Sequence, residues 1–177
     1  IIAWPKESNT GRKRAIEALD LYRRIGTDTA LQVLWGLSIK EVLPSVYEAT
    51  WNTLELAAKE RGMSVDQLGD HITPKCGLDA DGSRTFDYGS RQFHLVFDEH
   101  FEAKLRDSKN TIMDQLPKGR SGDDDELVAA ANREWEVLSL ELRDITRWQS
   151  ARLEQLMVKG RRWSIPSWRT HIFEHPL

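Results

Sequence analysis

One uninterrupted stretch, residues 125–159, constrains the fold more than any other part of the chain, because it contains neither proline nor glycine. Apolar residues recur along it at steps of three or four, once of five: Val128, Ala131, Trp135, Leu138, Leu142, Ile145, Trp148, Leu153 and Leu156. This spacing places them on one side of an α-helix and predicts a single long amphipathic helix. At about 1.5 Å per residue the helix spans roughly 50 Å. We therefore expect it to bridge two packed bodies or to lie along a sheet.

Three helices are predicted near the start of the chain. Ser8 or Asn9 can cap the first, and Gly26 ends it by offering a left-handed position. From 28 to 61 the pattern is a helix that is apolar nearly all round, a turn containing Pro44, and an amphipathic helix. A unit of this kind has the size of a HEAT-type repeat. A HEAT-like front is the favoured interpretation, and an ordinary small helical bundle is the alternative.

A short helix and then a set of strands follow. Ser64 and Gln67 form a capping box, which predicts a helix that ends before Pro74. Beyond Pro74 the apolar period changes to two. The alternating residues are Phe86, Tyr88, Phe93, Leu95, Phe97, Phe101, Ala103 and Leu105, and 112–116 closes the pattern. They predict three or four short antiparallel strands with one apolar face, which the long helix covers.

The predicted fold class is α+β and mostly helical: a HEAT-like helical front, a small antiparallel sheet of three or four strands, and one long amphipathic helix. We expect the HEAT-like segment at 1–73 and an α+β domain at 74–177. The chain begins with Ile1 instead of methionine and ends on His175-Pro176-Leu177, so we expect a piece of a longer polypeptide, truncated at the C-terminus. The apolar start stops at Pro5, which does not fit a signal peptide.

Charge and cysteine content narrow the functional classes. The formal net charge is -3 at pH 7, so no overall field attracts nucleic acid or an acidic membrane, and only local patches can do so. Cys76 is the single cysteine, which excludes an internal disulfide and a metal site built from cysteines alone. No run of about eighteen apolar residues occurs. These features predict a cytoplasmic protein without a membrane partner.

Two segments carry partial metal-binding patterns. Residues 78–83 resemble the start of a calcium loop, but counted from Asp79 the sixth position is Arg84 instead of glycine and the twelfth is Ser90 instead of glutamate. A turn before the first strand is the better interpretation. Residues 171–175 match the H-x-x-E-H pattern of zinc peptidases. Because Pro176 disfavours a helical conformation at the residue before it, a helix end with surface histidines is favoured there.

The other polar groups give no catalytic set. His94 and His100 flank Asp98-Glu99, and alternation puts His94 and Asp98 on the face opposite the aromatic residues, where a solvated face is favoured. No serine lies in a nucleophile elbow, no glycine-rich phosphate loop occurs, and Cys76 has no adjacent base. We predict no cofactor and no metal, and an enzyme is the less favoured class.

Two basic clusters are candidates for binding. The first is Arg12-Lys13-Arg14 with Arg23-Arg24, for which the alternative is the solvated face of a helix. The second follows the long helix, where basic side chains alternate with aromatic rings that can stack on bases while the cations hold phosphates. Its candidate nucleic-acid-binding residues are Arg161, Arg162, Trp163, Trp168 and Arg169, next to Lys159. The alternative is that both tryptophans are core anchors with basic neighbours.

Several short motifs follow one another in a recognisable order. They are Gly62-Met63-Ser64, Gln67-Leu68, Asp70, Thr73-Pro74, Gly77-Leu78-Asp79, Asp81-Gly82, Asp87-Tyr88-Gly89, Arg91, Phe93, Leu116-Pro117-Lys118, Gln149, Arg152-Leu153-Glu154, Arg162-Trp163 and His175-Pro176-Leu177. In this combination the chain resembles the MolR-like family, large bacterial proteins named as molybdate metabolism regulators. The resemblance implies that residues 60–177 begin that family's C-terminal domain of unknown function, preceded by its repeat region. It implies no reaction and no catalytic residues.

The predicted function is a non-catalytic interaction or regulatory segment of a larger bacterial cytoplasmic protein. Its partner is another protein or the rest of the full-length chain. The first alternative is a nucleic-acid-associated module that uses the second basic cluster. The second alternative is part of an enzyme whose active site is completed by residues outside this chain.

Overall fold

The computed structural model describes residues 9–38 and 43–177. Ser8, expected as a helix cap, lies outside the described residues, as does the side chain of Asn9. The chain divides into two compact units, Ile1–Pro74 and Lys75–Leu177, called unit 1 and unit 2 below. None of the helices in the described part combines the length and the apolar character that crossing a bilayer requires.

Unit 1 is helical throughout its described part. Its helices are α1 (Asn9–Ile25), α2 (Asp28–Ser38), α3 (Pro44–Glu60) and α4 (Val65–His71). α1 packs against α2 and α3, and α4 packs against α3. The interior contains the buried Trp35 and is otherwise mainly aliphatic, with Ala15, Leu19, Leu31, Leu34, Val46, Leu54, Ala57, Ala58 and Leu68 buried. A relation to HEAT repeats stays a prediction, because packing of a few helices does not distinguish a repeat from a small bundle.

Local chemistry explains where the helices of unit 1 begin. Pro44 lies in the first turn of α3, where its missing N–H costs no hydrogen bond. Ser64 Oγ accepts from the Gln67 N–H at 3.2 Å, and Gln67 Oε1 accepts from the Ser64 N–H at 2.8 Å. This is the predicted capping box, and it starts α4.

Unit 2 begins with a four-stranded antiparallel sheet in the order β1-β2-β3-β4. The strands are β1 (Thr85–Asp87), β2 (Gln92–Phe97), β3 (Ala103–Arg106) and β4 (Ile112–Met113). Phe86 pairs with Phe93, and Leu95 pairs with Leu105, so the apolar residues share one face. His94 pairs with Thr85 and Arg106 and therefore belongs to the other face.

The long helix covers the apolar face of the sheet. α5 (Asp125–Val158) contacts β1 and β3, and Trp135 meets Phe86 edge to face with ring centroids 5.7 Å apart. The shared core consists of Phe86, Tyr88, Phe93, Leu95, Leu105, Leu116, Ala131, Trp135, Leu138 and Leu142. The predicted fold class, α+β and mostly helical with a small antiparallel sheet and one long amphipathic helix, is confirmed.

A polar cluster, called the clamp below, fixes the start of α5 against the β1–β2 turn. Asp124 caps α5 by accepting hydrogen bonds from two backbone N–H groups of its first turn. Arg91 lies over the Tyr88 ring, 5.3 Å from its centroid, and donates to Asp123 at 2.8 Å. The Tyr88 hydroxyl donates to the Pro117 carbonyl at 2.9 Å. The hydrogen bonds from Arg91 hold the pKa of Asp123 well below its ordinary value.

The structure corrects the predicted pattern in three places. Phe101 continues the apolar alternation in the sequence, yet it lies in the β2–β3 turn and is 61% exposed. It does so because Asp98 accepts two backbone N–H groups and closes the turn there. β4 has only two residues, and its Ile112 is exposed. On α5, Arg152 and not Leu153 is buried, because a step of four from Trp148 keeps the helix face.

Candidate functional site

The candidate surface lies where α5 ends and the chain enters its last helices. These are α6 (Ile165–Trp168) and a π-helix (Arg169–Phe173). Gly160 ends α5 at φ 66°, a conformation that glycine adopts without strain, and its N–H donates to the Met157 carbonyl at 2.9 Å. Ser164 then caps α6 by accepting from the Ser167 N–H. We call residues 157–173 the C-terminal surface.

In the first half of the predicted cluster, Arg161 packs on an aromatic ring, whereas the neighbouring Arg162 has no ion-pair partner among the described residues. The Arg161 guanidinium carbon lies 4.6 Å from the centroid of the Trp163 ring, a cation–π contact. Arg162 is exposed and forms no ion pair within the part of the chain that the structure describes. The Arg162 charge is therefore available to a partner.

In the second half of the cluster, Trp168 and Arg169 already have partners within the same segment of the chain. The Trp168 ring stacks on Phe173 with centroids 5.3 Å apart, and Trp168 stays 44% exposed. The Arg169 Nε donates to Glu174 Oε1 at 2.6 Å, so the Arg169 charge is balanced. Neither tryptophan is a core anchor, since Trp163 is half-buried and Trp168 is exposed.

Exposed apolar side chains accompany these cations, and the sequence interpretation did not single them out. Val158 is 90% exposed, Ile165 81%, Met157 75% and Phe173 67%. Met157 and Val158 lie off the apolar stripe of α5, on a side where a solvated helix carries polar residues, and this is the signal that the sequence offered. Contiguous exposed apolar residues mark contact sites for another molecule, and these four fall within residues 157–173 of the chain.

Charge is divided unevenly along the chain. Residues 143–177 contain seven Lys or Arg and three Asp or Glu, a net charge of +4; because the whole chain is -3, residues 1–142 carry -7. On α5, Arg143 and Arg147 are exposed one helical turn apart, and neither forms an ion pair within the described residues. The C-terminal end is therefore the part of the chain that attracts anionic groups.

The first basic cluster does not make a second surface of this kind. Arg23 pairs with Asp20 and Glu60, and Arg24 Nε lies 2.7 Å from Asp20 Oδ2. Residues 12–14 are exposed on α1. These arginines and lysines fit the solvated face of a helix better than a binding site.

The segments with metal-like patterns have local structural roles. Asp81 Oδ1 accepts from the backbone N–H and the hydroxyl of Ser83, at 3.0 and 2.7 Å, and this closes the turn expected before β1. Glu174 is held by the ion pair described above, and His175 Nδ1 accepts from the Leu177 N–H at 3.2 Å. Among the residues that the structure describes, no three His, Cys, Asp or Glu side chains are grouped so that they could hold a metal ion.

The remaining candidates are two histidines near the sheet and the Cys76 thiol. His94 lies on the outer face of the sheet, with Nδ1 3.0 Å from Thr85 Oγ1. His100 is exposed in the β2–β3 turn. Burial, followed by the charge of Glu141, raises the pKa of the Cys76 thiol to about 12, so the thiol is protonated and a poor nucleophile at neutral pH.

Comparison with known proteins gives two similarities. The model of a family described as a domain of unknown function, DUF4132, matches residues 111–177. The uncharacterised protein YehI of Escherichia coli (strain K12) is 28% identical over 176 residues, which are 99% of this chain and 14% of that protein. The chain thus spans about one seventh of that relative's length. No solved structure matches the chain.

These matches show that the resemblance to the MolR-like family is wrong. The matching family is DUF4132, its match begins at residue 111 and not near residue 60, and the similar protein is uncharacterised. At least one of the short motifs serves local turn geometry that does not identify a family. Asp87-Tyr88-Gly89, for example, is a turn in which Asp87 Oδ1 accepts from the Gly89 N–H at 2.8 Å. α5 and the C-terminal surface both lie within the matched region.

Proposed function

We propose that this chain is a non-catalytic interaction segment of a larger, cytoplasmic bacterial protein, and that its C-terminal surface binds an acidic, partly apolar protein segment. One observation carries the proposal: the strongly exposed Val158 and Ile165 lie close in the chain to the unpaired cations Lys159 and Arg162. The similar Escherichia coli protein is about seven times as long, which supports a place within a longer polypeptide.

The chemistry of the surface specifies the partner. Removing a valine or isoleucine side chain from water contributes about 1.5–3 kcal/mol, so Val158 and Ile165 favour a partner with apolar side chains of its own. Lys159 and Arg162 add attraction for carboxylates and orient the approach, although exposed pairs of this kind contribute little affinity. A segment with apolar residues on one side and Asp or Glu at its edge meets both demands.

A designed peptide tests this proposal without knowledge of the natural partner. The probe is a labelled helical peptide with leucines on one face and glutamates on the other, titrated with the 177-residue chain by fluorescence anisotropy. Two matched peptides replace the glutamates by lysine or the leucines by serine. We expect both replacements to weaken binding by at least about tenfold, the serines because they remove apolar contact and the lysines because they repel Lys159 and Arg162.

Variants of the chain locate the binding site. The double substitution V158S/I165S should weaken binding of the glutamate peptide by a similar factor. The matched control is V137S/L140S, which removes two other exposed apolar residues of α5, 67% and 51% exposed, outside the C-terminal surface. The proposal would be refuted if the two double variants weakened binding of the glutamate peptide equally. It would also be refuted if the lysine peptide bound as tightly as the glutamate peptide.

The uneven charge favours a second candidate function, binding of nucleic acid. Arg143, Arg147, Lys159 and Arg162 provide unpaired cations for phosphates, and the ring of Trp168 is partly open for stacking. The test is anisotropy of labelled single- and double-stranded DNA and RNA at about 50 and about 200 mM salt. Binding that falls steeply with salt and disappears when Arg161 and Arg162 become alanine supports this function, and no binding at either salt removes it.

A further inference from the structure

Three turns in unit 2 are built in the same way. In the turns 79–83, 98–102 and 107–111, the first residue is an aspartate whose backbone N–H donates to the fifth carbonyl, at 2.9, 3.0 and 3.1 Å. The N–H of the fourth residue donates back to the aspartate carbonyl in each. The fourth residues have positive φ and are Gly82 at 79°, Phe101 at 59° and Asn110 at 62°.

Phe101 is the exception among the three fourth residues. Glycine adopts positive φ without strain and asparagine tolerates it, whereas a bulky aromatic residue there is a strained outlier. Burial of the ring does not compensate for the strain, because Phe101 is 61% exposed. Strained residues of this kind occur at sites where the side chain contacts another molecule.

The turn that carries Phe101 is acidic. The side chains of Glu99 and Glu102 are 87% and 67% exposed. Lys104, the cation beside them, is surrounded by three carboxylates, with Nζ 2.9 Å from Asp114, 3.0 Å from Glu102 and 3.8 Å from Asp98. A partner for Phe101 must therefore offer apolar surface together with cations.

The C-terminal surface of the same chain has this composition, and the tail that follows it lies beside the end of β2. A Cβ on Gly82 would lie 2.8 Å from the Pro176 carbonyl oxygen and 4.0 Å from the Phe97 ring. Phe97 is the last residue of β2 and immediately precedes the Phe101 turn. Pro176 follows the C-terminal surface by three residues. The segment that leads into the acidic turn and the tail that follows the basic, apolar surface therefore lie beside each other.

We propose that unit 2 binds a second copy of the chain through the Phe101 turn and the C-terminal surface. The Phe101 ring of one copy inserts among the exposed apolar side chains of the other copy's C-terminal surface, and Glu99 and Glu102 face Lys159 and Arg162. The inference rests on the proposed function, because it names the occupant of the same surface. Because each copy carries both halves of the contact, a two-fold axis makes the contact twice, and the assembly closes as a dimer.

The first test is the mass of the 177-residue chain in solution, measured by light scattering and sedimentation equilibrium from about 10 to about 500 µM. We expect a concentration-dependent dimer. F101N places asparagine at the fourth position of the turn, as in the turn 107–111. The variant should raise the melting temperature because it removes the backbone strain. It should also increase the dimer dissociation constant at least about tenfold, because it removes the ring. I112S, which removes another exposed apolar side chain of the sheet, is the control and should leave the dimer unchanged.

A mixing experiment tests the pairing directly. F101N lacks the turn contact and keeps the C-terminal surface, whereas R162E/I165S lacks the surface and keeps the turn. Each variant alone should be monomeric, and an equimolar mixture should form a one-to-one heterodimer through the single contact that remains. A wild-type chain that stays monomeric, a dimer that F101N does not weaken, or a mixture without heterodimer would overturn the inference.

The glutamate peptide separates this inference from the proposed function. If the chain is monomeric but still binds the peptide through Val158 and Ile165, the second copy is not the occupant and the proposed function stands. If the chain neither dimerises nor binds the peptide, both fail. A dimer that the peptide dissociates supports both.

Discussion

Substitution of Gly82 by alanine tests whether the C-terminal tail of unit 2 lies against the turn before β1. Gly82 has φ 79°, and a Cβ at this position would lie 2.8 Å from the backbone oxygen of Pro176. Ordinary contacts of a Cβ begin at 3.4 Å, so alanine requires the tail to retreat by 3.4 − 2.8, or 0.6 Å. Leu177 packs against the core of unit 2, and this retreat loosens that contact.

Two contributions determine how much G82A lowers the free energy of unfolding. A left-handed backbone costs a residue with a Cβ about 1–2 kcal/mol. Overpacking against backbone atoms that must shift adds about 1–3 kcal/mol. We expect G82A to lower the free energy of unfolding by about 2–5 kcal/mol, the sum of these two terms.

Gly160 supplies the matched control. It has φ 66°, and a Cβ there meets nothing within 4 Å, so G160A should cost only the backbone term of about 1–2 kcal/mol. The assay is urea denaturation followed by tryptophan fluorescence, with each transition fitted separately because the chain divides into two units. In a chain shortened before Pro176, G82A should cost no more than G160A. A G82A variant that equals G160A within about 0.5 kcal/mol in the intact chain would refute the tail placement.

Three further outcomes follow from the clamp and from the partly buried thiol. Y88F leaves the Pro117 carbonyl without its donor and should lower the free energy of unfolding by about 1–3 kcal/mol in urea; no change would mean that water replaces the hydroxyl. The pKa of Asp123 is lowered mainly by hydrogen bonds from Arg91, so its stabilisation is present above the unfolded pKa, about 3.9, and is lost as pH falls through the folded value. Calorimetry should therefore show the wild-type melting temperature falling more steeply than that of D123N below about pH 4, and parallel profiles would contradict the clamp. Because burial raises the pKa of Cys76 to about 12, iodoacetamide should alkylate the native chain at about pH 8.5 far more slowly than the denatured chain, and equal rates would contradict the burial.

The elements that the sequence predicts well are those whose cause is local. The helix predicted over residues 125–159 is α5, Asp125–Val158, because its apolar period runs without a breaker up to Gly160. The capping box needs only Ser64 and Gln67, three residues apart, to set the start of α4. Each signal lies within one continuous segment of the chain and needs no knowledge of tertiary packing.

The candidate site was less predictable because exposure is a tertiary property. Basic and aromatic residue types selected Arg162 and Trp168, but their spacing could not show that Arg169 is balanced by Glu174 or that Phe173 stacks on Trp168. Nor does an apolar residue reveal from its type alone whether it is covered. Ile165 is 81% exposed, a value that depends on which elements pack around it.

Phe101 shows how a failed sequence prediction can point to function. Period-two alternation assigns it to an apolar strand face, but hydrogen bonds to Asp98 close a turn at that point and give Phe101 a positive φ. Asn110 occupies the same place in the turn 107–111 without this conflict between residue type and backbone. A chain optimised only for folding would carry asparagine or glycine at both places, since either lowers the strain and neither exposes a ring. The strained and exposed ring is therefore better explained by a contact outside the folded chain than by the fold itself, and F101N separates the two explanations because it should stabilise the chain while weakening the contact.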